Sequence, residues 1–232
     1  MAFKPLYTQN YVAFSPFDRL ALAGLIRRAA RPGCRMAEIG SWLGNGSTQV
    51  FLETLRTTSM SSLMCVDTWQ GSTNVRRHQE IVRDYDVLGT FRTNVAAADG
   101  LLTVMPFVAT SELCAPLMAD GAFDLVFIDA DHSYQAVRDD VSAWRLKVRQ
   151  GGILCGHDCE ARLDPANEAR LREHQRDDTI PGDGTPFPVI HPGSILAVHE
   201  AFGGAAQLCA DTLLTLDDGR PGRSTIWWME ML

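Results

Sequence analysis

Five short apolar runs constrain the architecture of this chain more than any other feature: RMAEIG at 35–40, SLMCVD at 62–67, LLTVMPFV at 101–108, DLVFIDA at 124–130 and GGILCGH at 151–157. They lack the apolar-polar alternation of a strand with one solvated face, and fit strands of a parallel sheet covered by helices on both sides. The segments around them fit helices, over 17–31, 47–58, 75–88, 111–118 and 134–148, so the chain reads as repeated βαβ units of an α/β fold. In FDRLALAGLIRRAA, Leu20, Leu22, Leu25 and Ile26 fall near one face, which predicts a helix packed on the sheet ahead of the first strand.

A chain of 232 residues with 46% hydrophobic and 21% charged residues can bury a sizeable core, and we expect one domain over 1–232. After residue 158 the pattern changes: CEARLDPANEARLREHQRDD is charged, and TIPGDGTPFPVIHPG is rich in proline and glycine. We read 159–195 as an inserted lid or substrate loop. A helix, SILAVHEAFG, follows, and then AAQLCADTLLTL and STIWWMEML flank the turn-forming DDGRPGR as two antiparallel strands would.

With 21 basic against 28 acidic residues, the formal charge of −7 provides no basic field for a phosphate backbone, so nucleic acid is not an expected partner. The first residues lack a charged region followed by an apolar one, and no apolar run reaches the roughly 18 residues of a membrane span. The expectation is a cytoplasmic protein without a membrane partner, with homo-oligomerisation left open. Six cysteines without a C-x-x-C pair imply reduced thiols; Cys155, His157 and Cys159 alternate in CGHDC but lack a fourth ligand at zinc-finger spacing.

The first strand runs into EIGSWLGNGST, where Gly40, Gly44 and Gly46 let the backbone turn sharply beside a ligand before a helix opens near Ser47 and Thr48. The dinucleotide fingerprint G-x-G-x-x-G would need glycine where Trp42 stands, so a pyrophosphate cradle is disfavoured, and with it an oxidoreductase. Asp67 lies 27 residues after Gly40, where doubly wound sheets place an acid for ribose hydroxyls, and Trp69 could then lie along an adenine. Glu38, inside an apolar strand, needs a cationic ligand group or bonded backbone amides nearby.

These residues resemble the class I methyltransferases that use S-adenosylmethionine, in which E/D-x-G-x-x-x-G and an acid after strand two hold the cofactor. The resemblance spans about residues 17–230 and implies a Rossmann-like doubly wound sheet, mostly parallel, in the order 3-2-1-4-5-7-6 with a C-terminal antiparallel hairpin. It implies a cofactor site built from Glu38, Gly40, Ser41, Gly44, Gly46, Ser47, Asp67, Thr68 and Trp69, with Thr110 and Ser111 on the adenine side and Asp129 beside them.

FDLVFIDADHSYQAVRDDVSAWRLKVRQGGILCGHD places Asp129, Asp131 and His132 after strand four, and His157 and Asp158 after strand five. Neighbouring strands bring such residues together at the carboxyl edge, where these sheets bind ligands. Carboxylates suit Mg²⁺, and a histidine among them shifts the preference toward Mn²⁺ or another transition metal. IDADHSY followed by GGILCGHD is similar to the metal-dependent O-methyltransferases, particularly a bacterial branch acting on sugars and secondary metabolites. In catechol-type relatives the next two metal ligands follow the first acid by 28 and 29 residues, which here gives Asp129, His157 and Asp158. Those relatives carry an acid-containing pair such as Asp-Asn where this chain has His157 and Asp158, and a lysine base where it has His132; some sugar-modifying relatives use histidine there. An imidazole can accept a proton near neutral pH, so His132 is the expected base.

The expected activity is S-adenosylmethionine-dependent, metal-assisted O-methylation of a small-molecule hydroxyl. Alternatives are a hydroxylase-like or non-methylating enzyme of the same fold, and a non-catalytic module that binds S-adenosylmethionine. Other residues have structural readings: Asp131 as a helix cap, Tyr134 as packing, His191 and His199 as surface residues, and Arg138, Asp139 and Asp140 as a solvated charge run.

Overall fold

The computed structural model describes residues 4–9, 11, 14–73, 75–96 and 102–232. Helix α1 (Pro16–Ala29) opens with a capping box between Ser15 and Asp18 and with proline in its first turn. It is followed by β1 (Arg35–Ile39), α2 (Ser47–Leu55), β2 (Ser61–Asp67), α3 (Arg76–Asp84), α4 (Val87–Val95), β3 (Leu102–Val108), α5 (Ser111–Cys114), β4 (Phe123–Ile128), α6 (Tyr134–Trp144) and β5 (Val148–Gly156). The last part holds α7 (Glu168–Glu173), α8 (Pro192–Phe202), β6 (Gln207–Leu208) and β7 (Trp227–Glu230). The seven strands form one sheet in the order β3-β2-β1-β4-β5-β7-β6, parallel from β3 to β5, with β7 antiparallel to both its neighbours. This is the doubly wound order expected from the sequence. Among the described residues no helix is long and apolar enough to cross a membrane.

Period-two side chains divide the core between the faces of the sheet. In β4, Leu125 and Phe127 pack with Leu22, Ile26 and Phe51 of α1 and α2, whereas Val126 and Ile128 pack with Val141 and Trp144 of α6 and Leu196 of α8. This run without polar alternation is thus a strand buried on both sides, whereas β3, at the sheet edge, leaves Met105 and Val108 exposed, contrary to the expectation for the third run.

Three local expectations change. The helix read over 75–88 breaks at Tyr85 and Asp86, because the Asp86 side chain accepts from Gly89 N at 2.8 Å and starts α4. The C-terminal pairing is antiparallel but joins Gln207–Leu208 to Trp227–Trp228; the DDGRPGR turn belongs to a separate short hairpin of Leu214–Thr215 with Pro221–Gly222. The charged segment after residue 158 contains α7 and a hairpin of Ile180–Pro181 with Val189–Ile190, and Leu171, Ile180 and Ile190 join the core. Leu101, at the head of the third run, lies outside the described residues.

Glu38 is fully buried in β1 and is solvated by hydroxyls rather than by the cation or backbone amides expected. Ser41 Oγ, Ser47 Oγ and Thr48 Oγ1 donate to its carboxylate at 2.7, 2.6 and 2.7 Å, tying the loop after β1 and the first turn of α2 to the strand. Burial outweighs these bonds and pushes its pKa from an ordinary 4.5 up to about 7. The folded state therefore keeps this proton to higher pH than the unfolded chain does. The stabilisation is complete below the unfolded pKa of 4.5 and is lost as pH rises through about 7, a difference of about 3 kcal/mol. Urea unfolding of wild type and Glu38→Gln across this range should show the wild type losing roughly that much stability relative to the variant. Parallel pH profiles would contradict it.

Candidate active site

The carboxyl ends of β1, β2, β4 and β5 open into a cavity of about 840 Å³. Its two walls meet where β1 and β4 lie side by side. Gly40 (φ +90°) ends β1, and a Cβ there would lie 2.0 Å from the Asp129 carbonyl oxygen, so only glycine allows this approach. Asp129 N in turn donates to the Ile39 carbonyl at 2.8 Å.

On one wall, Asp67 at the end of β2 gathers the loop after β1. Its carboxylate accepts from Ser41 N at 2.9 Å, Trp42 N at 2.7 Å and Trp69 N at 2.6 Å. Burial raises its pKa against these backbone donors. Gly40, Ser41, Gly46, Ser47, Asp67 and Thr68 line this wall. Thr110 and Ser111 also reach the cavity, where Thr110 Oγ1 caps α5 by accepting from Leu113 N, and Ser111 Oγ accepts from Trp144 Nε1 at 2.7 Å.

Three residues expected at the cofactor lie behind this wall. Glu38 is enclosed by its hydroxyl donors. Gly44 faces the Phe91 ring, which a Cβ would approach to 2.8 Å. Trp69 is buried against Phe91, its ring centroid 4.9 Å away, with Nε1 donating to the Trp42 carbonyl at 2.8 Å. The tryptophan on the cavity is Trp42, stacked on His78 at 4.5 Å, with Tyr11 Oη 2.7 Å from His78 Nε2. Trp42 and Trp69 both adopt positive φ, +45° and +53°, a conformation costing of order 1–3 kcal/mol that is concentrated at functional sites.

On the opposite wall, Asp158 is the hub. It is a non-glycine residue at φ +63°, so the chain leaving β5 turns sharply and returns its carboxylate toward β4. His157 Nδ1 lies 3.0 Å from one of its oxygens and His132 Nε2 lies 3.0 Å from the other; His191 Nδ1 lies 3.4 Å away. Asp129 Oδ1 is 3.7 Å from His157 Nδ1 and 3.9 Å from His132 Nε2. Burial would raise the pKa of Asp158, yet His157, His191 and His132 hold it well below the usual carboxylate range. Burial would likewise lower His132 and His157, but Asp158 and Asp129, with Asp178 beside His132 and Asp18 beside His157, raise both well above the ordinary imidazole value.

One donor atom from each of Asp129, His157 and Asp158 lies within 4.8 Å of the others, as do donor atoms of His132, Asp158 and His191. Mixed carboxylate and imidazole donors at this spacing fit a divalent cation. Cys155 and Cys159 join neither group, since their thiols face the Val126 and Ala161 carbonyls.

His191 and Asp140, read as bystanders, belong here, as does Asp178, which the sequence did not single out. His191 lines the cavity, with Nδ1 2.6 Å from Glu160 Oε1 and its ring 4.7 Å from that of His132. Asp178, from the segment after β5, lies 2.8 Å from His132 Nδ1. Asp140 is buried and beside Ser111 rather than solvated, with its pKa pushed up to about 6 by burial. No motif marks these positions; His191 sits immediately before the proline that opens α8, and that is the only local signal. Asp131 does serve the chain turn before α6, accepting from Ser133 N at 2.8 Å.

Similar solved structures include an O-methyltransferase from Bacillus cereus in complex with SAH, 20% identical, covering 93% of this chain and 81% of that one at a TM-score of 0.52. A cofactor-bound protein from MTB is 18% identical over 94% of this chain and 81% of its own, at 0.53. A SAM-dependent O-methyltransferase from Thermotoga maritima is 10% identical over 96% and 68%, at 0.55. These likenesses establish a shared fold. No curated protein sequence matches the chain. A family model described as a methyltransferase domain matches residues 37–159, more than half of the 232 and the stretch from β1 to just beyond Asp158. With the sheet order and the cavity at its carboxyl edge, that match shows that the chain belongs to the methyltransferase-domain family.

Proposed function

We propose that this chain is an S-adenosylmethionine-dependent O-methyltransferase acting on a hydroxyl of a small molecule, a sugar or secondary metabolite, with a divalent metal, Mg²⁺ or Mn²⁺, at Asp129, His157 and Asp158. One observation carries the reading: a glycine-bounded loop anchored by Asp67 and a carboxylate-imidazole donor set face each other across a single cavity. The SAH held by the Bacillus cereus structure of the same fold supports the choice of methyl donor.

S-adenosylmethionine supplies a methyl group on a sulfonium, and a divalent cation supplies Lewis acidity that lowers an alcohol pKa. The protein contributes alignment, for which an organised site can supply roughly 7 to 11 kcal/mol. Ser41, Ser47, Asp67 and Thr68 sit where they can bind the adenosyl group, with Trp42 beside them and Thr110 and Ser111 at the far end. His132 stands beside the donor set with Nδ1 2.8 Å from Asp178 and Nε2 3.0 Å from Asp158, so a cation taken up by Asp158 would free Nε2 to face an acceptor hydroxyl held there. His132 would then accept the proton that the acceptor hydroxyl gives up, the cation having offset the Asp158 and Asp129 charges that hold the imidazole protonated. Asp178 orients the ring, as a carboxylate behind a catalytic histidine does.

Asp67→Ala should weaken S-adenosylmethionine binding by roughly ten- to a hundredfold in calorimetry, from loss of a charge-assisted ribose bond. Unchanged affinity would overturn the cofactor orientation. Methylation of a hydroxyl acceptor should stop with excess EDTA and return with Mg²⁺ or Mn²⁺, and Asp129→Asn should lower metal affinity strongly while sparing cofactor binding. Full turnover in EDTA would remove the metal from the reaction. His132→Ala should reduce kcat by about 10²- to 10⁴-fold with little change in cofactor affinity. Near wild-type turnover would assign the proton elsewhere.

A further inference from the structure

Asp18 lies far from the donor set in sequence, near the start of α1, and only 4% of its surface is exposed. One of its oxygens accepts from Ser224 Oγ at 2.7 Å and Thr225 N at 2.9 Å, in the segment that leads into β7. The other accepts from Ser15 Oγ and Ser15 N at 2.5 and 3.2 Å, within the capping box, and lies 3.3 Å from His157 Nε2. That imidazole nitrogen is buried and has no aligned hydrogen-bond partner among the described residues, so Asp18 is the acceptor it faces. The opposite nitrogen, Nδ1, faces Asp158 and Asp129. Thr225 also receives Asp158 N on its hydroxyl at 3.3 Å and Cys159 N on its carbonyl at 2.9 Å. The segment bonded to Asp18 therefore also holds the chain that carries His157 and Asp158.

A helix cap alone would need only the bonds to Ser15. The Asp18 carboxylate instead sits behind one ring nitrogen of a buried histidine whose other ring nitrogen belongs to a cation-sized donor set. We propose that Asp18 is a positioning residue of the metal centre, which accepts the Nε2 proton of His157 and thereby presents Nδ1 as a lone-pair ligand. This rests on the metal reading above. A metal-bound histidine commonly gives its second N–H to a carboxylate, which fixes tautomer and ring orientation, and loss of that partner typically costs 10- to 100-fold in metal affinity.

The consequence is specific to this tautomer. In Asp18→Asn the side-chain oxygen can keep the Ser224 and Thr225 bonds, while the amide NH₂ turned to His157 favours a lone pair on Nε2 and a proton on Nδ1, where the ligand is needed. Mn²⁺ binding by calorimetry, and the imidazole ¹⁴N modulation of bound Mn²⁺ in pulsed electron paramagnetic resonance, read this directly. Asp18→Asn should bind Mn²⁺ about 10- to 100-fold more weakly and lose the same modulation as His157→Ala. Adding Asp18→Asn to His157→Ala should cost no further affinity. Ser224→Ala, which removes one of the other bonds to Asp18, should lower the melting temperature but leave Mn²⁺ affinity and modulation near wild type. A measurement on the wild type alone guards against a variant that does not fold: in the Zn²⁺-loaded protein, long-range ¹H–¹⁵N spectra should show His157 protonated at Nε2. The proposal falls if Asp18→Asn keeps its affinity and modulation, if Ser224→Ala loses as much, or if Nε2 is the unprotonated nitrogen. A wild-type protein that binds neither Mn²⁺ nor Zn²⁺ would instead remove the metal centre itself.

Discussion

The contact between Gly40 and the Asp129 carbonyl governs the layout of this molecule, because it is where the sheet changes direction. The chain runs outward from β1 to β3 on one side and from β4 to β5 on the other, so the loops after β1 and β4 part at this point and leave a crevice between them. A side chain at position 40 would collide with backbone rather than with a flexible group, so the strands could keep their register only by displacing Asp129. Asp129 is one of the three residues of the Asp129, His157 and Asp158 donor group. One backbone approach thus aligns the Asp67 side of the cavity with its carboxylate-imidazole side.

Across the sheet the protein handles four buried or half-buried acids in four ways, and each solution assigns a different role. Hydroxyls surround Glu38, leave it with a raised pKa and turn it into a strut between β1 and α2. Backbone amides hold Asp67, so the carboxylate shapes the loop it would share with a ligand. At the other end of the sheet, burial would raise Asp124, but Arg149 and Arg31, at 2.6 and 2.7 Å, and the Arg35 amide lower it. Asp158 alone is balanced by imidazoles, which can exchange their protons for a cation.

The segment after β5 completes the site by packing. Leu171, Ile180 and Ile190 bury its apolar side against the core, which fixes Asp178 beside His132 and His191 beside Asp158. Gly193 makes this possible: a Cβ there would lie 2.3 Å from the His132 carbonyl oxygen and the Tyr134 nitrogen, so α8 can start directly against the turn that carries His132. Close backbone approach at two glycines, 40 and 193, therefore sets the positions of the ionisable groups in the cavity.

The sequence by itself determined the sheet, its helices and most of the cavity. Uninterrupted apolar runs can be buried only between two layers of helices, and strand ends in such a sheet face one edge, which already groups Asp67, Asp129, His132, His157 and Asp158. Where period and spacing do not speak, tertiary structure decided. Glu38 could be recognised as a buried charge needing partners, but the three hydroxyls that serve it lie on a loop and a helix turn whose orientation no local rule specifies. Trp69 and Trp42 stand at equally plausible positions in the chain, and the fit of one ring against Phe91 sends the other to the cavity. Asp18, Asp178 and His191 carry no site motif because their contacts at the site are with residues 31 to 207 positions away, and only folding of the whole chain creates those contacts.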